Sequence, residues 1–154
     1  MSHDAYEIAA YFMKKAEDSK KQITPMQLLK LVYIAHGWHL AIESKPLIND
    51  RIEAWKYGPV IPALYHIVKH YGSMEIPFQA FAFAPSFPEE SVTKQILDRV
   101  WDRYSNFSGF QLSTLTHQKG TPWWDVWHDE RGSDHMGAII PNEKIENHYT
   151  SLSE

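Results

Sequence analysis

Apolar residues recur at helical spacing along most of this chain. Near the start, Ala5, Ile8 and Phe12 repeat every three or four positions with charged residues between them, which predicts an amphipathic helix over residues 2–19. The same spacing, together with three helix starts marked by proline, predicts further helices at 62–72, 89–105, from 108, at 121–129 and from 141.

The segment 24–45 differs from the other predicted helices because apolar residues lie on more than one of its faces. Thr24 and Pro25 supply an N-cap and a first-turn proline, and the proline at position 46 ends the helix. Two apolar stripes run along it, and the polar side left between them is narrow, comprising Gln27, Lys30 and Gly37. A helix that is apolar nearly all round is buried, so we expect this one to lie at the centre of the fold.

Two segments lack helical periodicity. Residues 47–59 are typical of an irregular stretch with a short strand at 52–55, and 76–88, where prolines bracket phenylalanines, are typical of an extended or edge-strand segment. The predicted fold is therefore mainly α: a compact bundle of about six or seven helices around a central buried helix at about 24–45, with one or two short extended or β segments. Residues 1–154 are predicted to form a single domain.

Composition narrows the cellular setting and the classes of partner. The chain has no cysteine, no apolar run near the length of a membrane span and no signal peptide, so we expect a cytoplasmic protein without a membrane partner. Residues 1–77 carry 9 basic and 8 acidic side chains, and 78–154 carry 6 and 11. No basic stripe is visible, which argues against nucleic acid, and the acidic half suggests a basic partner near residues 98–134.

Histidine pairs are the only candidates for a metal site. His66 and His70 are four apart on one predicted helix, and His36 and His39 are three apart on another. Such spacings can place two imidazoles on one zinc ion, which leaves a metal-dependent hydrolase as a minor alternative. Because no acidic residue follows either pair at close range, we expect no metal or other cofactor, with His39 a hydrogen-bonded core residue and His66 and His70 exposed.

Nucleophilic catalysis finds little support. Ser113, Thr116 and His117 cluster on one predicted helix, but caps and hydroxyls bonded to the backbone are the better explanation, and no G-x-S-x-G turn or glycine-rich phosphate loop is present. We therefore predict no catalytic residues.

Tryptophan is more informative, because six occur in this short chain. Adjacent Trp123 and Trp124 point about 100° apart on a helix, so one of them faces solvent or a partner unless the helix is sandwiched. Residues 55–59 combine aromatic and basic side chains of the kind that dominate protein interfaces. Core packing remains the other interpretation of each aromatic.

Three sequence blocks together resemble the Panacea domain, a family known from SocA-like and GepA-like phage-associated proteins. The first block runs from Ile23 to Trp38, the second spans 52–62 and reads I-E-A-W-K-Y-G-P-V-I-P, and the third contains L-S-T-L-T-H at 112–117 followed by P-W at 122–123. The resemblance covers nearly the whole chain.

The resemblance implies an antitoxin of a toxin–antitoxin system, which neutralises a protein toxin encoded next to it by direct contact and without catalysis. In the SocA branch it implies instead an adaptor that delivers the toxin to a ClpXP-type protease. The residues we predict to bind the partner are Trp55, Lys56, Tyr57, Gly58, Pro59, His117, Trp123 and Trp124. The motif residues that serve either the fold or the partner are Thr24, Pro25, Tyr33, His36, Gly37 and Trp38.

Overall fold

The computed structural model describes residues 2–154 and is mainly helical, with seven α-helices and a small three-stranded sheet. This architecture confirms the predicted fold class. The helices are α1 (Ala5–Asp18), α2 (Pro25–Glu43), α3 (Pro62–Val68), α4 (Val92–Tyr104), α5 (Gly109–His117), α6 (Pro122–Trp124) and α7 (Asn142–Ser153), and the strands are β1 (Glu53–Trp55), β2 (Gly58–Val60) and β3 (Ala138–Ile139). No helix within residues 2–154 is long and apolar enough to cross a bilayer.

Helix α2 is the centre of the fold, as its apolar faces predict. Thr24 Oγ1 accepts a hydrogen bond from the Gln27 backbone amide, Gln27 Oε1 accepts one from the Thr24 backbone amide, and Pro25 occupies the first turn. At the other end Ser44 adopts a left-handed φ of 57° and closes the helix. Helices α1, α4, α5 and α7 all pack against α2.

The predicted polar side of α2 is wrong at two of its three positions. Lys30 is only 3% exposed and Gly37 is also buried, because the β1–β2 hairpin covers the first and α7 covers the second. Conversely, Ile42 on the predicted apolar stripe is 53% exposed, since it lies in the last turn of the helix beside an open cavity with Trp38 and Ile96.

The three strands form an antiparallel sheet in the order β2-β1-β3. Strand β1 lies within the predicted 52–55 stretch and joins β2 through a tight turn in which Trp55 pairs with Gly58. Strand β3 pairs with the other edge of β1. Its two residues are too short to give a periodic signal, which explains why the sequence did not predict it.

The segment 76–88 was predicted to be extended or an edge strand, and it forms no strand. It contains one 3₁₀ turn at Phe78–Ala80 and otherwise crosses the surface of α1. Phe81 packs on Tyr6 and Phe87 on Tyr11, with ring centroids 4.9 and 5.5 Å apart. The aromatic contacts therefore hold it over the core without a ladder of backbone hydrogen bonds.

The C-terminal elements begin where their sequence signals indicate. Ser108 and Gln111 form a reciprocal capping box at the start of α5, and Thr121 caps α6. Helix α6 continues into a single π-helical turn at Asp125–Asp129, so the predicted 121–129 helix is present with a wider second half. Helix α7 begins directly after Pro141 and packs along α2.

Candidate binding surface

The turn between β1 and β2 presents the aromatic and basic motif at the surface. Its two central residues, Lys56 and Tyr57, are both exposed, Tyr57 to 65%. The Lys56 ammonium lies over the Tyr57 ring, 5.4 Å from its centroid. Gly58 has φ +124°, a conformation that L side chains rarely adopt, and a Cβ there would stand 2.9 Å from the Lys30 ammonium. Glycine is therefore required for both the turn and the approach of Lys30.

Side chains of helices α5 and α6 donate hydrogen bonds to the backbone of this turn. Ser113 Oγ donates to the Tyr57 carbonyl oxygen at 2.9 Å, and Trp123 Nε1 donates to the Trp55 carbonyl oxygen at 2.6 Å. His117 packs edge-on against Trp123, with centroids 5.2 Å apart. The structure thus brings together two predicted blocks that lie more than 50 residues apart in sequence.

The predicted partner-binding residues do not all reach the surface. Gly58, Pro59 and Trp123 are buried, and Trp123 is only 3% exposed. Trp55, His117 and Trp124 are half-buried, which leaves Lys56 and Tyr57 as the exposed members. The buried members form the support on which the exposed turn rests.

A groove of about 330 Å³ lies beside the turn, between the hairpin, α2 and α3. We call it the hairpin groove. Its apolar lining includes Met26, Leu29, Trp55, Tyr57, Val60 and Tyr65. The Trp55 and Tyr65 rings meet edge to face at 4.9 Å, an arrangement that favours fixed ring positions. Three lysines complete the lining: Lys30, Lys56 and Lys69.

Lys30 is the unusual residue of the hairpin groove. Its ammonium donates to the Pro59 carbonyl oxygen at 2.8 Å. None of the ion pairs within residues 2–154 includes it. Burial lowers the pKa of Lys30 to about 7, because a charge removed from water without a counter-charge is costly. The fold therefore buries this lysine without a carboxylate beside it, and burial favours its uncharged amine.

The remaining motif residues of α2 serve the interior. The Ile48 amide donates to His36 Nδ1 at 3.3 Å, so Nε2 carries the proton and donates to Asn142 Oδ1 at 2.9 Å. Burial lowers the pKa of His36 to about 4, and the ring is neutral at physiological pH. His36 thereby ties α2 both to the loop before β1 and to the start of α7.

Gly37 and Tyr33 belong to the same interior contact. A Cβ at Gly37 would overlap the Tyr149 ring of α7. Tyr33 is fully buried near Tyr149, and its hydroxyl is without a hydrogen-bond partner among the described residues. Trp38 donates from Nε1 to the Tyr104 hydroxyl at 3.2 Å. These residues position α7 and α4 against α2, while Thr24 and Pro25 start that helix.

The two histidine pairs lie in different surroundings. No group of three or more metal-ligating side chains occurs within the described residues 2–154. His39 contacts the Lys45 carbonyl oxygen at 2.7 Å and Thr93 Oγ1 at 3.3 Å, so its prediction as a bonded core histidine is confirmed. His66 and His70 are exposed, also as predicted.

Sequence reasoning missed several residues of the hairpin groove, above all Lys30, Tyr65 and Lys69. Lys30 was assigned to a polar face of α2. A lone lysine in a helix that is otherwise apolar on nearly every side was the available signal, because such a residue is either paired or functional when it is buried. Tyr65 and Lys69 gave no signal, since only the fold brings α3 next to the turn.

Comparison with known proteins identifies the family. A sequence model described as "Antitoxin SocA-like, Panacea domain" matches residues 28–124. The curated protein "Antitoxin SocA" of Caulobacter vibrioides is 32% identical over 130 residues, which cover 79% of this chain and 69% of that protein. No solved structure matches the chain. The matched region contains the hairpin, its supports on α5 and α6, and most of α2, so the chain belongs to the SocA-like antitoxin family with a Panacea domain.

Proposed function

We propose that this protein is a cytoplasmic antitoxin that neutralises a protein toxin by direct binding at the surface around the β1–β2 turn. Family membership supports the antitoxin role. The observation that carries the binding site is the rigid support of an exposed Lys56-Tyr57 turn by side-chain hydrogen bonds from Ser113 and Trp123 to its backbone.

A supported turn of this kind suits protein recognition. Tyrosine is enriched among the residues that dominate binding energy, because it offers a large apolar ring and a polar tip. Binding also costs less when the contact residues are already held in place. The turn meets both conditions, since Tyr57 is exposed and the carbonyl groups on either side of Lys56 accept hydrogen bonds from buried or half-buried side chains.

The hydroxyl cluster on α5 favours binding over catalysis. Ser113 Oγ donates to the Tyr57 carbonyl oxygen, and Thr116 Oγ1 donates to the Leu112 carbonyl oxygen at 3.0 Å. His117 Nδ1 contacts the Ser113 carbonyl oxygen. The two hydroxyl groups and His117 Nδ1 thus bind backbone carbonyl groups of the helix or the turn, which supports a structural role for the cluster.

Co-expression tests the proposal. The product of the neighbouring open reading frame is induced with and without this protein, and colony formation is counted. We expect growth arrest without it, restored growth with it, and co-elution of the two proteins on size-exclusion chromatography. A harmless neighbour, or one that stays toxic in the presence of this protein, would overturn the proposal.

A pulse–chase measurement separates direct neutralisation from delivery to a protease. Direct binding leaves the half-life of the toxin unchanged or longer, because the complex merely occupies it. A half-life that shortens with this protein, and recovers when the ClpXP-type protease is deleted, would replace direct neutralisation by the adaptor mechanism.

A further inference from the structure

The hairpin groove has the opposite charge from the acidic half of the chain. Its lining includes Lys30, Lys56 and Lys69, and no Asp or Glu lines it in the part of the chain that the structure describes. Lys56 and Lys69 are exposed and lie outside the described ion pairs. An acidic segment approaching the groove would therefore meet two exposed lysine cations and the buried Lys30, with no carboxylate among the lining residues.

The acidic half suits a charged partner less well. Asp98 already pairs with Lys15 at 3.1 Å and with Lys94 at 2.9 Å. Glu130 pairs with Lys144 at 2.8 Å, and Asp134 pairs with Arg131 at 2.7 Å. Three of the six carboxylates in 98–134 therefore have internal counter-ions, and the basic partner expected there stays a prediction.

Lys30 adds a reason for the groove to take a carboxylate. A buried ammonium has three N–H donors, and Lys30 uses one on the Pro59 carbonyl oxygen. Because no carboxylate pairs with Lys30 in the described part, its ammonium is costly to bury and loses its proton more readily than that of an exposed lysine. A carboxylate from a partner would favour the protonated amine, and this interaction would add to the binding energy.

The rest of the lining fits apolar side chains next to that carboxylate. Trp55 and Tyr65 form a fixed aromatic corner, and Met26 and Tyr57 are 40% and 65% exposed. Methionine adapts its shape to the group it contacts. The groove therefore offers apolar contact and cationic contact side by side.

We propose that the hairpin groove receives an acidic segment of the toxin in which carboxylates alternate with apolar or aromatic side chains, one carboxylate pairing with Lys30 and others with Lys56 and Lys69. The proposal rests on the antitoxin function stated above and adds the place and the chemistry of contact. It favours a protein segment over nucleic acid because only two of the three cations are exposed and the chain carries a net charge of −4.

Charge reversal in cells is the first test. The double variant Lys56→Glu/Lys69→Glu is compared with Lys20→Glu/Lys45→Glu, which changes two other exposed lysines and has the same net charge. We expect the first variant to lose protection against the toxin by at least about tenfold in plating efficiency, and the second to protect like the wild type. Equal behaviour of the two variants, in either direction, overturns the proposal.

A peptide titration tests the groove independently of the toxin. A capped eight-residue peptide with Asp and Glu alternating with Phe and Leu is added to the full-length ¹⁵N-labelled protein, and a matched peptide with Lys and Arg at the acidic positions is the control. We expect the acidic peptide to shift the Trp55 indole and the Lys69 amide signals and to bind about tenfold more tightly than the basic one. Equal binding of the two peptides overturns the proposal.

Two further titrations test whether Lys30 takes part in binding and whether the groove prefers a peptide to a nucleic acid. Lys30→Met keeps an unbranched side chain, one atom shorter, and removes the amine, and we expect the folded variant to bind the acidic peptide about tenfold more weakly. Unchanged affinity overturns the role of Lys30. A single-stranded oligonucleotide that binds the groove more tightly than the acidic peptide overturns the assignment to a protein segment.

Failure of this inference and failure of the antitoxin function are distinguishable. If the wild type does not protect against the neighbouring gene product, the proposed function fails, and the peptide titration still decides the chemistry of the groove. If the wild type protects and Lys56→Glu/Lys69→Glu protects equally, the antitoxin function stands and the toxin binds elsewhere.

Discussion

The two halves of α2 carry motif residues of the same family block, yet they meet different surroundings. The C-terminal half, which we call the closed half, packs against α7, and its residues Tyr33, His36 and Gly37 are buried. The N-terminal half, with Met26, Leu29 and Lys30, lines the open hairpin groove. This single sequence motif therefore contains residues that pack against α7 and residues that line the hairpin groove. The position of a residue along the helix decides which of the two it does.

The largest effect on stability is expected from Gly37→Ala, in the closed half. The added Cβ would overlap the Tyr149 ring, which is itself packed against Tyr33 and Trp38 and has no room to move. We expect the free energy of unfolding, measured by urea denaturation, to fall by about 3 kcal/mol.

Tyr149→Leu provides the matched background for this measurement. If the contact with the Tyr149 ring causes the loss, the same Gly37→Ala change made in Tyr149→Leu should cost less than about 1 kcal/mol. Equal penalties in both backgrounds would show that Gly37 is needed for another reason.

His36 is expected to make the closed half sensitive to acid. Burial lowers the pKa of His36 to about 4 in the folded protein, against about 6.5 in the unfolded chain. Between these values the unfolded chain binds more protons, so the stabilising contribution is complete above pH 6.5 and is lost as pH falls toward 4. The loss reaches up to about 3 kcal/mol.

Denaturation at several pH values tests this effect. His36→Asn should flatten the decline in stability between pH 7.5 and 4.5, whereas His66→Asn, at an exposed position on α3, should leave it unchanged. A His36→Asn curve parallel to that of the wild type would contradict the prediction.

Lys30, in the N-terminal half of α2, adds a second pH dependence of stability, which has the same sign but lies in a more alkaline range. Its folded pKa of about 7 lies below the ordinary lysine value of about 10.4, so the unfolded chain binds more protons between these values. Stability should therefore rise with pH in this window, by up to about 2 kcal/mol between pH 7 and 9.

Lys30→Met should remove this rise, because it has no group to titrate there, and Lys45→Met at an exposed position should keep it. The quantity to compare is the difference in unfolding free energy between pH 7 and 9. An equal rise in Lys30→Met and the wild type would assign it to other groups.

The smallest effect on stability is expected at Tyr57, where the effect on binding is largest. Tyr57 is 65% exposed, and its turn is held through the backbone carbonyl group. Tyr57→Ala should change the unfolding free energy by less than about 0.5 kcal/mol and reduce protection against the toxin by at least about tenfold. A stable variant that still protects would remove Tyr57 from the binding surface.

Local signals in the sequence predicted most of the fold. Thr24 with Gln27 and Ser108 with Gln111 are capping pairs that can be recognised from spacing alone, and each starts a helix in the structure. Apolar periodicity gave the helix faces wherever one side meets solvent. It failed at Lys30 and Gly37, because their burial comes from the hairpin and α7, which lie far away in the chain.

The candidate site was likewise predicted only where its residues are neighbours in the sequence. The aromatic turn at 55–59 and its likeness to the Panacea domain were evident from the residues, because they are contiguous. Trp123 was predicted to contact the partner, but it is buried and supports the turn with an indole hydrogen bond. Tyr65 and Lys69 of the hairpin groove could not be predicted, since α3 is placed there by packing on α1 and α2.

The order of residues fixed where helices begin, which helix is central and which family the chain belongs to, because caps, prolines and apolar spacing act over a few residues. Burial of a cation next to an aromatic groove arose only when α2, the hairpin and α3 came together. The cost of an unpaired charge depends on every group around it, and those groups come from distant parts of the chain.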